Sequence, residues 1–128
     1  MTDLIQLGKN AKQSAQTLSL MSTTQKNDLL KQMALTIKKN QEAILEANQK
    51  DLEQAIENNM NETMQDRLRL TPERIHEMTE EINKIALLDD PIGKVEQMWK
   101  NTDGLLIGKK RVPLGVIGII YESRPNVT

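Results

Sequence analysis

The chain has 128 residues, enough for one small domain, and its 38% hydrophobic and 27% charged content lies in the soluble globular range. A formal net charge of -1, the absence of cysteine and a single histidine, His76, argue against a basic nucleic-acid surface and exclude a disulfide framework, a thiolate metal site and a His-based zinc site. No stretch approaches the ~20 apolar residues of a membrane span, and the first residues lack a signal-peptide pattern, so a cytoplasmic protein without membrane or nucleic-acid partners is expected.

With no Phe, one Trp and one Tyr, a core must come from Leu, Ile, Met, Ala and Val. Residues 1 to about 88 read as helical. Leu4, Leu7, Ala11, Ala15 and Leu18 recur three and four apart and form one apolar stripe. Ser22-Thr23-Thr24-Gln25 fits a capping box that opens a second helix, with Leu29, Leu30, Met33, Ala34 and Ile37 on its apolar face. Asn40 interrupts it. A third helix covers 41–58, with Ala43, Ile44, Ala47, Leu52, Ala55 and Ile56 on its buried side and Asn48 as a possible break. A short helix covers 62–68. Thr71-Pro72-Glu73 starts another, running to about 88, because Thr caps, Pro suits the first turn and Glu favours the positive end of the dipole. His76 falls on its surface.

After Pro91 the pattern becomes strand-like. Residues 95–99 and 105–112 flank the turn signal Asp103-Gly104, giving a partly amphipathic hairpin. The basic run Lys109-Lys110-Arg111 reads as a solvated strand end. Val116-Ile117-Gly118-Ile119-Ile120 is apolar without alternation, which predicts a strand buried on both faces of a helix-covered parallel sheet. Gly115 and Gly118 lie inside that strand, where close packing explains them better than a phosphate loop. Only eight residues follow Ile120. The rest of such a sheet is expected from sequence beyond this chain.

The run Val112-Pro113-Leu114-Gly115-Val116-Ile117-Gly118-Ile119-Ile120-Tyr121-Glu122-Ser123-Arg124-Pro125-Asn126-Val127-Thr128 resembles the signature of the γ-glutamyl phosphate reductase family, in the aldehyde dehydrogenase superfamily. Asp66-Arg67-Leu68-Arg69-Leu70-Thr71-Pro72-Glu73-Arg74-Ile75, Asp90-Pro91-Ile92-Gly93-Lys94-Val95 and, more weakly, Ala47-Asn48-Gln49-Lys50-Asp51-Leu52 match in the same order. The resemblance spans this chain and about the first third of the family's enzyme.

It implies an α/β parent fold with a doubly wound cofactor domain. Within it, 1–92 would be the helical part of that domain, 93–112 an oligomerisation-arm hairpin, and 113–128 the first cofactor-sheet strand with its active-site loop. The catalytic domain would lie outside the chain. The implied activity is NADPH-dependent reduction of L-glutamyl 5-phosphate to the semialdehyde in proline biosynthesis. A cysteine thiolate forms a thioester that accepts hydride. With no cysteine, the chain alone is expected to be inactive.

Tyr121, Glu122 and Ser123 are the implied cofactor-loop residues, with Glu122 also a candidate ion-pair partner of Arg124. An alignment without a gap from Pro113 puts Arg124 where related dehydrogenases carry an oxyanion-holding Asn. A shift of two puts Asn126 there. Asn126 is thus a candidate oxyanion donor and Arg124 a candidate contact to a substrate or cofactor phosphate. The alternative for each is a loop residue bonded to neighbouring backbone. The family's homo-oligomers suggest subunit contacts through 94–112, with Trp99 an anchor or plain packing. The competing reading is a stand-alone helical protein-interaction module derived from this family.

Overall fold

A computed structural model of the chain describes residues 3–121 and 124–127. The described residues form five helices and one two-stranded sheet, divided between two compact units. One unit is Met1–Thr23 with Asp89–Gly118; the other is Thr24–Leu88 with Ile119–Thr128.

The second unit is helical. Helix α2 (Thr23–Lys39) and helix α3 (Gln41–Glu57) are separated only by Asn40, as the sequence suggests. The Asn40 amide donates back to the Thr36 carbonyl (2.8 Å) and does not cap α3. Helix α3 ends at Asn58 and Asn59. Asn59 takes φ +56°, its N–H reaches the Ile56 carbonyl, and the Met60 N–H reaches the Ala55 carbonyl, both at 2.9 Å. This is a Schellman closure, with Asn supplying the left-handed residue. Asn61 then caps helix α4 (Glu62–Leu68), its side-chain oxygen accepting from the Met64 N–H at 2.9 Å. Thr71 caps helix α5 (Pro72–Ile85) by accepting from the Arg74 N–H at 3.2 Å, with Pro72 in the first turn. The helix stops three residues short of the expected end, at Ile85.

Helix α3 packs against both α4 and α5. The buried apolar residues are Ala34, Leu52, Ala55, Ile75 and Ala86. Ile75 is 1% exposed, and burying such a side chain contributes about 1.5–3 kcal/mol. Three residues assigned to the buried side of α3 are exposed instead: Ala43, Ala47 and Ile56. Within this unit α3 is covered along a narrower strip, centred on Asn48, Leu52 and Ala55.

Asn48 does not break α3. It is 6% exposed and forms a two-way brace. Its amide nitrogen donates to the Leu68 carbonyl (2.9 Å), and its amide oxygen accepts from the Leu70 N–H (2.7 Å). These are backbone groups at the end of α4, where helical partners run out. Arg74 holds the same segment from α5. Its guanidinium donates to the carbonyls of Asp66 (2.6 Å) and Arg69 (2.7 Å) and pairs with the Asp66 carboxylate at 3.1 Å.

In the first unit, Asp3 caps helix α1 (Leu4–Ser19), accepting from the N–H groups of Ile5 (2.9 Å) and Gln6 (3.3 Å). The apolar stripe of α1 exists but buries nothing: Leu4, Leu7 and Leu18 are all exposed. Strands β1 (Val95–Lys100) and β2 (Leu106–Lys110) pair antiparallel, with Trp99 opposite Ile107 and Met98 opposite Gly108. The Asn101 side-chain oxygen accepts from Asp103 (3.1 Å) and Leu105 (2.8 Å), and Gly104 takes the φ of +83° that the turn requires. A register shift between Val95 and Gln97 leaves Glu96 outside the regular pairing. Its carboxylate meets Arg111 (2.6 Å) and Lys109 (3.4 Å), so two of the three residues in the basic run are ion-paired.

The expected buried strand at 116–120 is not formed. No strand covers these residues, and Val116, Ile117, Ile119 and Ile120 are exposed, Ile120 fully. A buried strand needs ladder partners and covering helices, and the described residues provide this segment with no ladder partner.

Replacing Asn48 with Ala is expected to cost about 2 kcal/mol, because it strands a partly buried donor and acceptor at the end of α4. Arg74→Met should cost roughly 1 kcal/mol, and the double variant should lose less than the sum, since both residues secure one segment. Urea unfolding of the two single variants and the double variant measures this; strict additivity would refute a shared role.

The Arg111 and Lys109 hydrogen bonds, followed by the Arg111 charge, hold the Glu96 carboxyl below its ordinary value of 4.5. A lowered folded-state pKa supports the hairpin above the ordinary value and is lost as pH falls through the folded value. Acid titration should therefore loosen the hairpin below about pH 4.5, and Glu96→Gln should flatten that dependence, as read from hairpin amide exchange.

Candidate functional site

The helical unit contains a cleft of about 340 Å³ lined by the end of α4, one face of α5 and the segment around Arg124. On the α4 side lie Asp66, Arg67, Arg69 and Leu70. Helix α5 contributes Arg74, Glu77, Met78 and Glu81, whose spacing of three and four places them on one stripe. Arg124, Pro125 and Asn126 complete it.

The wall is mixed in charge. Asp66 and Arg74 neutralise each other. Among the described residues, Arg67, Arg69 and Arg124 have no carboxylate within ion-pair distance, and Glu77 and Glu81 have no cation. Arg67 donates only to the Met64 sulfur, at 3.8 Å. Arg67, Arg69, Glu77 and Glu81 are exposed to solvent. The cleft therefore offers guanidinium donors on one side and carboxylate acceptors on the other.

The backbone around Arg69 is fixed from both sides. Asn48 holds the Leu68 carbonyl and the Leu70 N–H, and Arg74 holds the carbonyl of Arg69 itself. Two arginines thus project from a segment with four of its backbone groups tied down. Such fixing lowers the entropic cost of using those arginines to grip a ligand.

Of the residues singled out from the sequence, Arg124 and Asn126 are brought together in this cleft. Both are exposed, and neither side chain hydrogen-bonds to neighbouring backbone among the described residues. Tyr121 is also exposed and does not line the cleft. Glu122 and Ser123, and the suggested Glu122–Arg124 pair, lie outside the described residues. His76 is on the surface of α5, as expected, and Trp99 is 42% exposed on the hairpin.

Sequence reasoning missed Arg67, Arg69, Glu77 and Glu81 as members of a site. One signal was available. Glu77 and Glu81 are like charges four apart on one helix face, which is locally unfavourable by a few tenths of a kcal/mol.

A dinucleotide cofactor does not fit the described residues by themselves. Its phosphates need a glycine-rich turn opening a helix. Here, among the described residues, Gly115 and Gly118 lie in an unpaired segment with no helix after it.

Among the described residues no group of three His, Asp or Glu is placed to hold a metal, and no helix is long and apolar enough to cross a membrane. No protein-family model matches the chain. It is 63% identical over 127 residues to γ-glutamyl phosphate reductase of Enterococcus faecalis and 54% identical over 128 residues to that of Listeria monocytogenes. The matches cover 99% and 100% of this chain, and 30% and 31% of those enzymes. Crystal structures of γ-glutamyl phosphate reductase superpose on 98% of the chain for Thermotoga maritima (TM-score 0.92, 40% identity) and 99% for Saccharomyces cerevisiae (TM-score 0.88, 34% identity). Those superpositions cover 30% and 32% of the two structures. Along its whole length, then, the chain is similar in sequence and in fold to the N-terminal part of γ-glutamyl phosphate reductase, and spans about 30% of that enzyme.

Proposed function

We propose that this chain is the N-terminal part of a cytoplasmic, NADPH-dependent reductase that converts L-glutamyl 5-phosphate to L-glutamate 5-semialdehyde in proline biosynthesis. The observation that carries the reading is identity of 63% over essentially the whole chain to an enzyme named for that substrate. The exposed apolar surface supports it. Leu105, Leu106, Val112, Leu114, Ile117 and Ile120 stand open on the hairpin and tail, and so large an apolar surface is normally covered by protein. In this reading the tail is covered by further strands of a cofactor sheet, and the hairpin, residues 94–112, by another subunit.

The chemistry divides accordingly. The reaction needs a thiolate to displace phosphate from the acyl phosphate, and this chain has no cysteine. The chain alone is therefore inactive. Its own contribution is to bind and orient. Arg124 contacts a phosphate, or Asn126 donates to the oxyanion, and in sequence both follow directly on Tyr121, Glu122 and Ser123, the implied cofactor contacts. NADPH supplies the hydride when bound, and residues beyond these hold most of it.

The test is the natural reading frame. It should continue past Thr128, supply a cysteine, and encode a protein that oxidises NADPH in the presence of glutamyl phosphate. Replacing that cysteine with Ser should reduce turnover by several orders of magnitude. A native stop codon directly after Thr128 would overturn the reading in favour of a stand-alone helical interaction module.

A further inference from the structure

The reading above gives Arg124 or Asn126 one contact to the substrate but assigns no residues to its other charged groups. We infer that the cleft between α4 and α5 is the subsite for the charged ends of an amino-acid phosphate, with Arg67 and Arg69 gripping its anionic groups and Glu77 and Glu81 its ammonium. The inference rests on the proposed function for its choice of substrate class.

Three observations converge on it. The first is charge. Once Asp66 and Arg74 have neutralised each other, the lining presents Arg67, Arg69 and Arg124 against Glu77 and Glu81, with no ion-pair partners among the described residues. A site for a simple anion would not place two free carboxylates on its wall, because each repels the ligand. An amino-acid phosphate carries both signs. Its phosphate and carboxylate suit guanidinium forks, and its ammonium suits a carboxylate pair.

The second is rigidity. The backbone that carries Arg67 and Arg69 is braced by Asn48 and Arg74 through four hydrogen bonds of 2.6–2.9 Å. A fixed backbone lowers the entropic cost of ordering the two arginine side chains, which are themselves exposed, around an anion. The third is a local cost. Like charges at Glu77 and Glu81 weaken α5 slightly, and breaches of local preference tend to fall at functional sites. The volume, about 340 Å³, lies at the lower end of the range for small-molecule sites.

The mixed wall also separates two sources of phosphate. The dinucleotide is polyanionic, and Glu77 and Glu81 would repel its pyrophosphate. The ammonium of an amino-acid phosphate would be drawn to them, while its anionic groups face the arginines.

The test is a titration of the 128-residue chain, followed by NMR, with three probes: aminophosphonovalerate (a stable amino acid with a terminal phosphonate), phosphonovalerate without the amino group, and NADPH. Aminophosphonovalerate should perturb the amides of Arg67, Arg69, Glu77 and Glu81 and bind more tightly than the other two. Arg67→Gln and Arg69→Gln should each weaken it about tenfold, the loss of one charged hydrogen-bonding partner. Both side chains are exposed, so these variants should fold, and Arg69→Lys should recover part of the affinity. Glu77→Gln with Glu81→Gln should weaken aminophosphonovalerate and strengthen phosphonovalerate.

Absence of binding up to about 10 mM, a weak range even for a small ligand, would overturn the inference. So would arginine variants that bind normally. Tighter binding of NADPH at these residues would overturn it in favour of a cofactor phosphate site. The readout needs no turnover. A longer reading frame with reductase activity but no probe binding here removes this inference alone, whereas a stop codon after Thr128 with probe binding intact removes only the proposed function.

Discussion

The backbone at the end of α4, which carries Arg67 and Arg69, depends on Asn48. One buried amide, set in the middle of α3, makes the two hydrogen bonds that the backbone at the end of α4 cannot make for itself. The arrangement is demanding. An amide has a donor and an acceptor in fixed relation, and both find backbone partners two residues apart. Asp would lose the donor, and Leu would leave both backbone groups without partners in a partly buried place. Asn in a helix interior is otherwise a weak choice, since its side chain competes with the helix for backbone partners. Here that competition is turned outward, to another element's backbone.

Arg74 complements this from the other side, and its own position depends on the Thr71 cap. The Thr71 hydroxyl accepts from the Arg74 N–H, which places the Arg74 side chain at the first turn of α5 and facing the end of α4. The cap, the arginine and the asparagine therefore form a sequence of dependencies. Cap geometry sets where α5 starts, the start sets Arg74, and Arg74 with Asn48 sets the backbone carrying Arg67 and Arg69. An ion pair as exposed as Arg74–Asp66 would contribute little by itself. Its value lies in the two carbonyls that the same guanidinium engages.

Local elements were largely legible in the sequence. Helix α4 falls on its expected residues, Asn40 separates α2 from α3, Thr71-Pro72 opens α5, and Asp103-Gly104 turns the hairpin. Each of these is decided by backbone chemistry within a few residues, and such chemistry is written locally. Asn48 was misread because its partners are 20 and 22 residues away. A residue that looks like a breaker by propensity can be a brace by tertiary contact, and only the fold distinguishes the two. The apolar stripe of α1 and the apolar run at 116–120 stand exposed for the opposite reason. Their apolar patterns are real, but pattern states a demand for cover and not where the cover comes from. The charged cleft was half legible. Arg124 and Asn126 stood out in the sequence, whereas Arg67, Arg69, Glu77 and Glu81 gain meaning only when α4 and α5 bring them to one hollow.

The exposed apolar and exposed charged surfaces call for different kinds of occupant. The hairpin and tail expose Leu106, Ile117 and Ile120, and what such apolar groups gain from is removal from water. The cleft offers little apolar area but charged side chains of both signs, which suit a small ligand of matching charges. Burying that cleft under an apolar protein surface would strand arginines and glutamates that have no ion-pair partner among the described residues, at high cost. Leaving it open to small molecules in water costs nothing until a complementary ligand arrives. The two kinds of surface therefore make opposite physical demands: exposed apolar groups are stabilised by cover, and exposed charges by water or by a ligand of matching charge.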